Sequence, residues 1–321
     1  MGRIFIFIFL LSNIHVAAQK SYSSKDPITQ PKIFGEGIIS TGDFETHPAF
    51  SPTGDSLYFL KCLADGNFCI ICVSYFKEGK WTIPEVASFS GQYTDADPFV
   101  TKDGNTIYFV SNRPHQKGEP VRDDWDIWKT QRGVTGWGEP VRLDSPINTS
   151  GSEFFPTLTN SGNLYFGSYR EGGKGRADIY VSRFVNGHFE SPQNLGDLVN
   201  TSENEYEPFI APDESYLIYM ATPNNLQNTD FYISFYSNGH WTKGKKIPPP
   251  VNSPATEWGG KMTPDGKYFF FGSSRNIIYD HLPTKENIQQ YNKRLKSAGN
   301  GLGDIYQIDA AELFRLVQES P

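Results

Sequence analysis

Past its first dozen residues the chain has no apolar run of the roughly 18 residues that a membrane-spanning helix needs. It has no basic excess either. With Lys+Arg 29 against Asp+Glu 36, the net charge of -7 argues against a nucleic-acid partner. Hydrolytic motifs are missing: there is no G-x-S-x-G elbow and no H-E-x-x-H. His47, His115, His188, His240 and His281 do not fall into ligand-spaced pairs. Gly-rich EGGKGR from Glu171 stands in the wrong context for a phosphate loop. Cysteine is scarce. Cys62, Cys69 and Cys72 are the three present, too close together for a zinc site without a fourth ligand nearby. They allow one disulfide across a hairpin or three reduced, buried thiols.

What is present is turn-rich and aromatic. Gly 30 and Pro 22 suit many strands separated by turns, and aromatics make up 15% of the residues. At the N-terminus, Gly2-Arg3, the run IFIFIFLL and the small residues before Gln19 have the form of a secretory signal peptide. The expected division is a signal peptide over 1–18, a flexible segment over 19–31 and one folded domain over 32–321, exported and without membrane insertion. No Cys follows the apolar run to take a lipid anchor.

One phrase recurs five times: an acid, two residues, usually Pro, an apolar stretch, a tight turn and an aromatic strand. The copies are ETHPAFSPTGDSLYF from Glu45, DADPFVTKDGNTIYF from Asp95, EFFPTLTNSGNLYF from Glu153, ENEYEPFIAPDESYLIY around Glu205 and EWGGKMTPDGKYFFF from Glu257. Repeats of about 50 residues read as short strands predict a radial β architecture. The turns Ser-Pro-Thr-Gly, Thr-Lys-Asp-Gly, Thr-Asn-Ser-Gly and Thr-Pro-Asp-Gly carry Pro early, Gly late or both, as hairpins require, and only the fourth copy has Glu214 where the others have Gly. Triplets such as Leu57-Tyr58-Phe59 place bulk on both sides of a strand, so each sheet must be sandwiched between neighbours.

A third strand opens on Asp126, Asp178, Asp230 and Asp304. An outer-strand phrase follows in four copies only; the fifth equivalent is PKIFGEGIIS from Pro31, at the other end of the chain. The prediction is an all-β, five-bladed propeller whose N-terminal strand completes the last blade, removing the free edges. Asp309 to Ser320 predicts a short C-terminal helix with Ala310, Leu313, Phe314 and Val317 as its apolar stripe.

The residues TPDGKYFFFGSSR with GDIY, SNR with DWDIW, and SYR with ADIY resemble the TolB-type, WD40-like or PD-type propeller repeat over about residues 32–309. That resemblance implies a propeller in a bacterial periplasmic setting, with six blades as the alternative to five. Its members include translocation accessories and peptidase gates, so it does not name a ligand.

The leading acids and the variable loops after strand two share one face, and variable loops on a rigid scaffold are where binding concentrates. Candidate ligand-binding residues there are Glu45, Asp95, Glu153, Glu205, Glu257, Trp258, Arg113, Arg170 and Arg275. The acids either form an electronegative ring at the channel mouth, suited to calcium or a cationic ligand, or pin their own blades. The arginines are expected to pair in-blade with Asp126, Asp178 and Asp304. The insertion Asn276–Gly303, with Lys285, Lys293, Arg294 and Lys296 in a helical stretch, either covers the mouth or decorates it. The N-T-S triplets at Asn148 and Asn200 belong to the repeat and argue only weakly for glycosylation. No cofactor is expected. The favoured reading is a non-catalytic binding or scaffolding protein for a protein, peptide or glycan. The alternative is a carbohydrate-active enzyme using Glu153, Glu205 and Glu257.

Overall fold

The structure is a computed structural model that describes residues 20–222, 229–277 and 285–320. The proposed signal peptide and His281 lie outside the described residues. Among the described residues, five antiparallel sheets of four or five strands are arranged around an axis, and Phe184–Val185 with His188–Phe189 adds a separate two-stranded ribbon. In blade one the inner three strands are Phe44–Phe50, Ser56–Cys62 and Cys69–Lys77. Blades two to five begin with Asp95–Val100, Glu153–Leu158, Asn204–Ile210 and Glu257–Met262. These first strands touch one another in succession, and the fifth touches the first, so they line the axis.

Each triplet of the second strands divides between two seams, as its alternation requires. Leu57 and Phe59 pack with Phe270 between blades five and one, while Tyr58 and Leu60 pack with Phe109 between blades one and two. The protein therefore has one core cluster per seam, five in all. An aromatic from the outer turn of the following blade plugs three of these seams in the same way. Trp137 meets Tyr58, Trp241 meets Tyr165, and Trp81 packs near Phe34 and Phe50.

Closure follows the predicted route. Lys32–Ile33 pairs antiparallel with Asp304–Asp309 and completes blade five. Residues 20–31, expected to be flexible, are tied down at Tyr22 and Ile28. Tyr22 is buried against Phe50 and Tyr268, the Lys20 ammonium donates to the Thr53 carbonyl at 2.9 Å, and the Ile28 N–H donates to Asp309 at 3.2 Å. The anchor is apolar burial: a Tyr and an Ile are withdrawn from water in the one seam that no outer strand reaches in chain order. Because the Asp309 carboxylate holds this segment, it does not cap the C-terminal helix α2 (Ala310–Glu319). That helix buries Ala310, Leu313 and Val317 and sets Phe314 on Tyr216, which fills the seam between blades four and five.

Cys62 and Cys69 form a disulfide across the blade-one hairpin, and Cys72 is free and buried. Among the described residues no helix is long and apolar enough to cross a membrane. Helix α1 (Ile288–Leu295), inside the insertion, has an Asn287 capping box and an Arg294–Glu286 ion pair.

Candidate functional site

The five leading acids are at most 2% exposed and turn into their own blades. Glu45, Glu153, Glu205 and Glu257 each accept from the hydroxyl four residues upstream, Thr41, Thr149, Thr201 and Ser253, at 2.6 Å. Asp95 accepts from Ser90 at 2.7 Å. Burial raises the carboxyls of Glu153, Glu205 and Glu257 above their ordinary range, against the pull of those hydrogen bonds.

The arginines complete the same latch. Arg113 reaches Asp95 at 2.6 Å, Arg170 reaches Glu153 at 3.5 Å and Arg275 reaches Glu257 at 3.4 Å. The Arg113 guanidinium lies over Tyr93, Phe109 and Trp128, that of Arg170 over Phe166 and Tyr180, and that of Arg275 over Phe271 and Tyr306. The expected pairing with the third-strand aspartates is therefore not made. Asp126 is held by Arg142 and His115, Asp178 by Asn194 and Asp304 by the Gly299 N–H. The Arg side chain runs back along strand two toward strand one, where a buried carboxylate awaits it. Asn148 and Asn200 are buried, and their amides donate to the main chain. Neither offers a free amide for glycosylation in the fold.

The residues that do reach the axis stand two positions beyond each acid: His47, Asp97, Phe155, Glu207 and Gly259. All five have left-handed φ values, 54°, 54°, 51°, 53° and 60°, and each lies where the register between strands one and two shifts. A bulge of this kind re-aims a side chain, and non-Gly residues hold left-handed φ only where the surroundings demand it. Here every blade is bent to aim one residue at the centre.

The His47 ring nitrogen Nε2 lies 3.3 Å from Asp97 Oδ1 and 3.2 Å from Glu207 Oε1. The other oxygen of each carboxylate accepts a main-chain N–H, from Phe155 to Asp97 at 3.0 Å and from Gly259 to Glu207 at 2.6 Å. His47 Nδ1 is 3.2 Å from the Thr46 hydroxyl. Lys261, 5% exposed, sets its ammonium 4.1 Å from the centre of the Phe155 ring with no hydrogen-bond acceptor. Burial lowers the Lys261 amine to about 8, opposed by the charges of Asp97 and Glu207. Burial raises Asp97, opposed by His47. The side chains of His47, Asp97 and Glu207 keep 9%, 10% and 15% of their surface exposed, so the cluster meets solvent on one side.

The residues just before three of the axial positions, Phe154, Tyr206 and Trp258, are half-buried aromatics that pack against the seam cores. Phe44 meets Trp258 at 5.2 Å, and Phe154 meets Tyr169 at 5.1 Å and Tyr206 at 6.4 Å. Of the nine candidates read from the sequence, the acids and arginines are latches, and Trp258 is a half-buried ring against Phe44. The axial residues were missed, although a signal existed. In a repeat otherwise so uniform, the third position of the phrase runs His, Asp, Phe, Glu, Gly. Among the described residues no group of three or more His, Cys, Asp or Glu side chains is arranged to hold a metal ion.

Solved structures of similar shape include the α-L-arabinofuranosidase of Lactobacillus brevis, at TM-score 0.53 and 12% identity, covering 85% of this chain and 92% of that one. Hydrazine synthase of Kuenenia stuttgartiensis is similar at TM-score 0.50 and 12% identity over 84% of this chain, and TolB of Acinetobacter baumannii at 0.48 and 14% over 83%. The matched regions span 54% of the TolB chain and 41% of the hydrazine synthase chain. These likenesses establish the fold alone. No protein-family model matches the sequence, and no curated protein matches it.

Proposed function

We propose that this is an exported, non-catalytic propeller of the TolB-like repeat type that binds its ligand at the channel mouth on the acid face. Export rests on the signal-peptide pattern, and the Cys62–Cys69 disulfide suits an oxidising compartment such as the periplasm. The observation that carries the non-catalytic reading is that Asp97 and Glu207 stand on the same nitrogen of His47, which hydrogen-bonds Glu207 and lies 3.3 Å from Asp97. A glycosidase needs its two carboxyl groups about 5–9.5 Å apart with the sugar between them. Here an imidazole occupies that space and a main-chain N–H holds each carboxylate's second oxygen. Glu153, Glu205 and Glu257, the acids the enzymatic reading called for, are spent inside their blades.

The test is a hydrolysis assay on aryl arabinofuranosides, xylosides and glucosides with the mature protein. The expected result is no turnover above buffer. Turnover that disappears in Glu207→Gln would replace this reading with the enzymatic one.

A further inference from the structure

We infer that the cavity between blades one and two, on the turn face opposite the leading acids, docks an extended peptide of a partner protein. An aromatic side chain of that peptide fills the cavity, and an acidic neighbour meets Arg132. The site is separate from the channel mouth, and its failure leaves the channel-mouth reading untouched.

The fold itself shows what belongs at this place in other seams. Where blade five meets blade one, the N-terminal segment sets Tyr22 against Tyr268, with ring centres 6.1 Å apart. The Lys20 and Ser21 side chains donate to the Thr53 and Gly54 carbonyls of the next turn. Where blade four meets blade five, the C-terminal helix sets Phe314 against Tyr216 at 5.2 Å. Tyr216 and Tyr268 each stand two residues beyond the end of their turn, at Glu214 and Gly266. Both seams are thus sealed on the turn face by an aromatic side chain from a terminal segment.

Blade one has Ser56 at that position, two residues beyond Gly54. No residue of either terminal segment belongs to the core of the seam between blades one and two. A cavity of about 870 Å³ opens there instead, with Ser56, Tyr58, Tyr75, Gly104, Arg132 and Trp137 in its lining. That volume suits a bound side chain with its flanking main chain, since small-ligand sites run from about 300 to 1,000 Å³. The walls can be reached: Tyr75 and Trp137 are half-buried and Arg132 is exposed. They are also fixed in advance, because the Trp137 indole N–H donates to the Tyr58 hydroxyl at 2.9 Å.

Charge selects the neighbour of the aromatic residue. Arg132 lies over the Trp137 ring at 4.6 Å and Lys77 over the Tyr75 ring at 5.1 Å, one cation on each wall. Arg132 spends its Nε on the Gly104 carbonyl at 3.3 Å, which leaves its terminal amines for a ligand. The cavity's own carboxylates are engaged elsewhere. Asp55 accepts from the Ser51 and Ser56 hydroxyls at 2.8 and 3.0 Å, and Asp103 from the Thr101 hydroxyl at 2.6 Å, each within its turn. Glu85, the third, is exposed on the outer strand. A carboxylate on the peptide would take a charge-assisted pair from a guanidinium already held in place by a ring.

Mature protein is titrated calorimetrically with the acetylated, amidated hexapeptides Gly-Ser-Asp-Phe-Ser-Gly and Gly-Ser-Phe-Asp-Ser-Gly, and with forms carrying Ala for Phe or Lys for Asp. The expected result is saturable binding of at least one parent peptide. Either peptide change, and both Arg132→Glu and Ser56→Tyr in the protein, should weaken it at least about tenfold, or about 1.4 kcal/mol. Ser56→Tyr gives blade one the residue that blades four and five carry. Arg132→Glu, at an exposed position, decides alone should that variant fail to fold. Binding that survives the protein substitutions overturns the inference, as does equal binding of the Ala or Lys peptides. Absence of saturable binding of either parent peptide overturns it too.

Discussion

Glu205 and Glu207 sit two positions apart on one strand and have opposite duties. Glu205 turns into its blade to take the Thr201 hydroxyl, while Glu207, at left-handed φ, turns to the axis to take His47. Residues of the first kind act on stability. Glu153→Ala leaves the Arg170 guanidinium buried over Phe166 and Tyr180 without its carboxylate, and the expected cost is about 3–5 kcal/mol in urea denaturation. Asp304 gives a prediction in pH. Burial pushes its carboxyl up to about 7, with Glu45 and Glu36 adding to the rise against the Gly299 N–H. The folded protein then binds a proton that the unfolded chain releases near the ordinary aspartate value of 3.8. This contribution is complete below that value and is lost as pH rises to about 7, with a slope of at most about 1.4 kcal/mol per pH unit. In Asp304→Asn that slope is absent, so unfolding free energies of the two proteins, compared from pH 4 to 8, should converge or diverge only below about 7. A difference that changes only above pH 7 would contradict the assignment.

Among the elements, the strands and turns were legible because each rests on local chemistry: Pro and Gly at fixed turn positions, three bulky residues per second strand. Two elements were read less well. Residues 20–31 look polar, yet Tyr22 and Ile28 are buried by a seam whose other walls come from residues 50, 268 and 270, far along the chain. Glu214, which breaks the turn pattern, holds Tyr165 at 2.7 Å and Arg183 at 2.6 Å from the preceding blade. Partners this distant leave no local trace. The latch segment has a measurable consequence: deleting residues 19–33 uncovers the Asp304–Asp309 edge and the seam beneath it. The deleted form should unfold at lower temperature and self-associate in size-exclusion chromatography. A monomer of unchanged melting temperature would show that the ring closes without it. The Cys62–Cys69 bridge closes a short loop, with a sequence separation of 7. Its replacement by two serines should cost roughly 2–3 kcal/mol by denaturant titration.

At the scale of the molecule, repetition explains both what the sequence reveals and what it hides. A position occupied alike in every blade, such as the leading acid with its upstream hydroxyl, does a job that every blade needs, namely pinning itself. A position that shares the repeat's geometry while its chemistry changes, from His47 through Asp97, Phe155 and Glu207 to Gly259, is free to build something that exists once. The period was enough to fix five blades and their closure. Which positions meet at the axis was not, because a bulge turns the side chain by a local backbone change that hydrophobic alternation does not encode. The ring also bears on metals. The five leading carboxylates diverge into separate blades and cannot share a cation, so a chelator is expected to leave the melting temperature unchanged; a clear fall would contradict this arrangement.

The most direct test of the division between latch and axis compares Glu205→Gln with Glu207→Gln by the nitrogen NMR signals of the His47 ring. The account predicts signals unchanged in Glu205→Gln, whose carboxylate takes the Thr201 hydroxyl, and moved in Glu207→Gln, whose carboxylate bonds the ring. Signals moved in the first and unchanged in the second would contradict it.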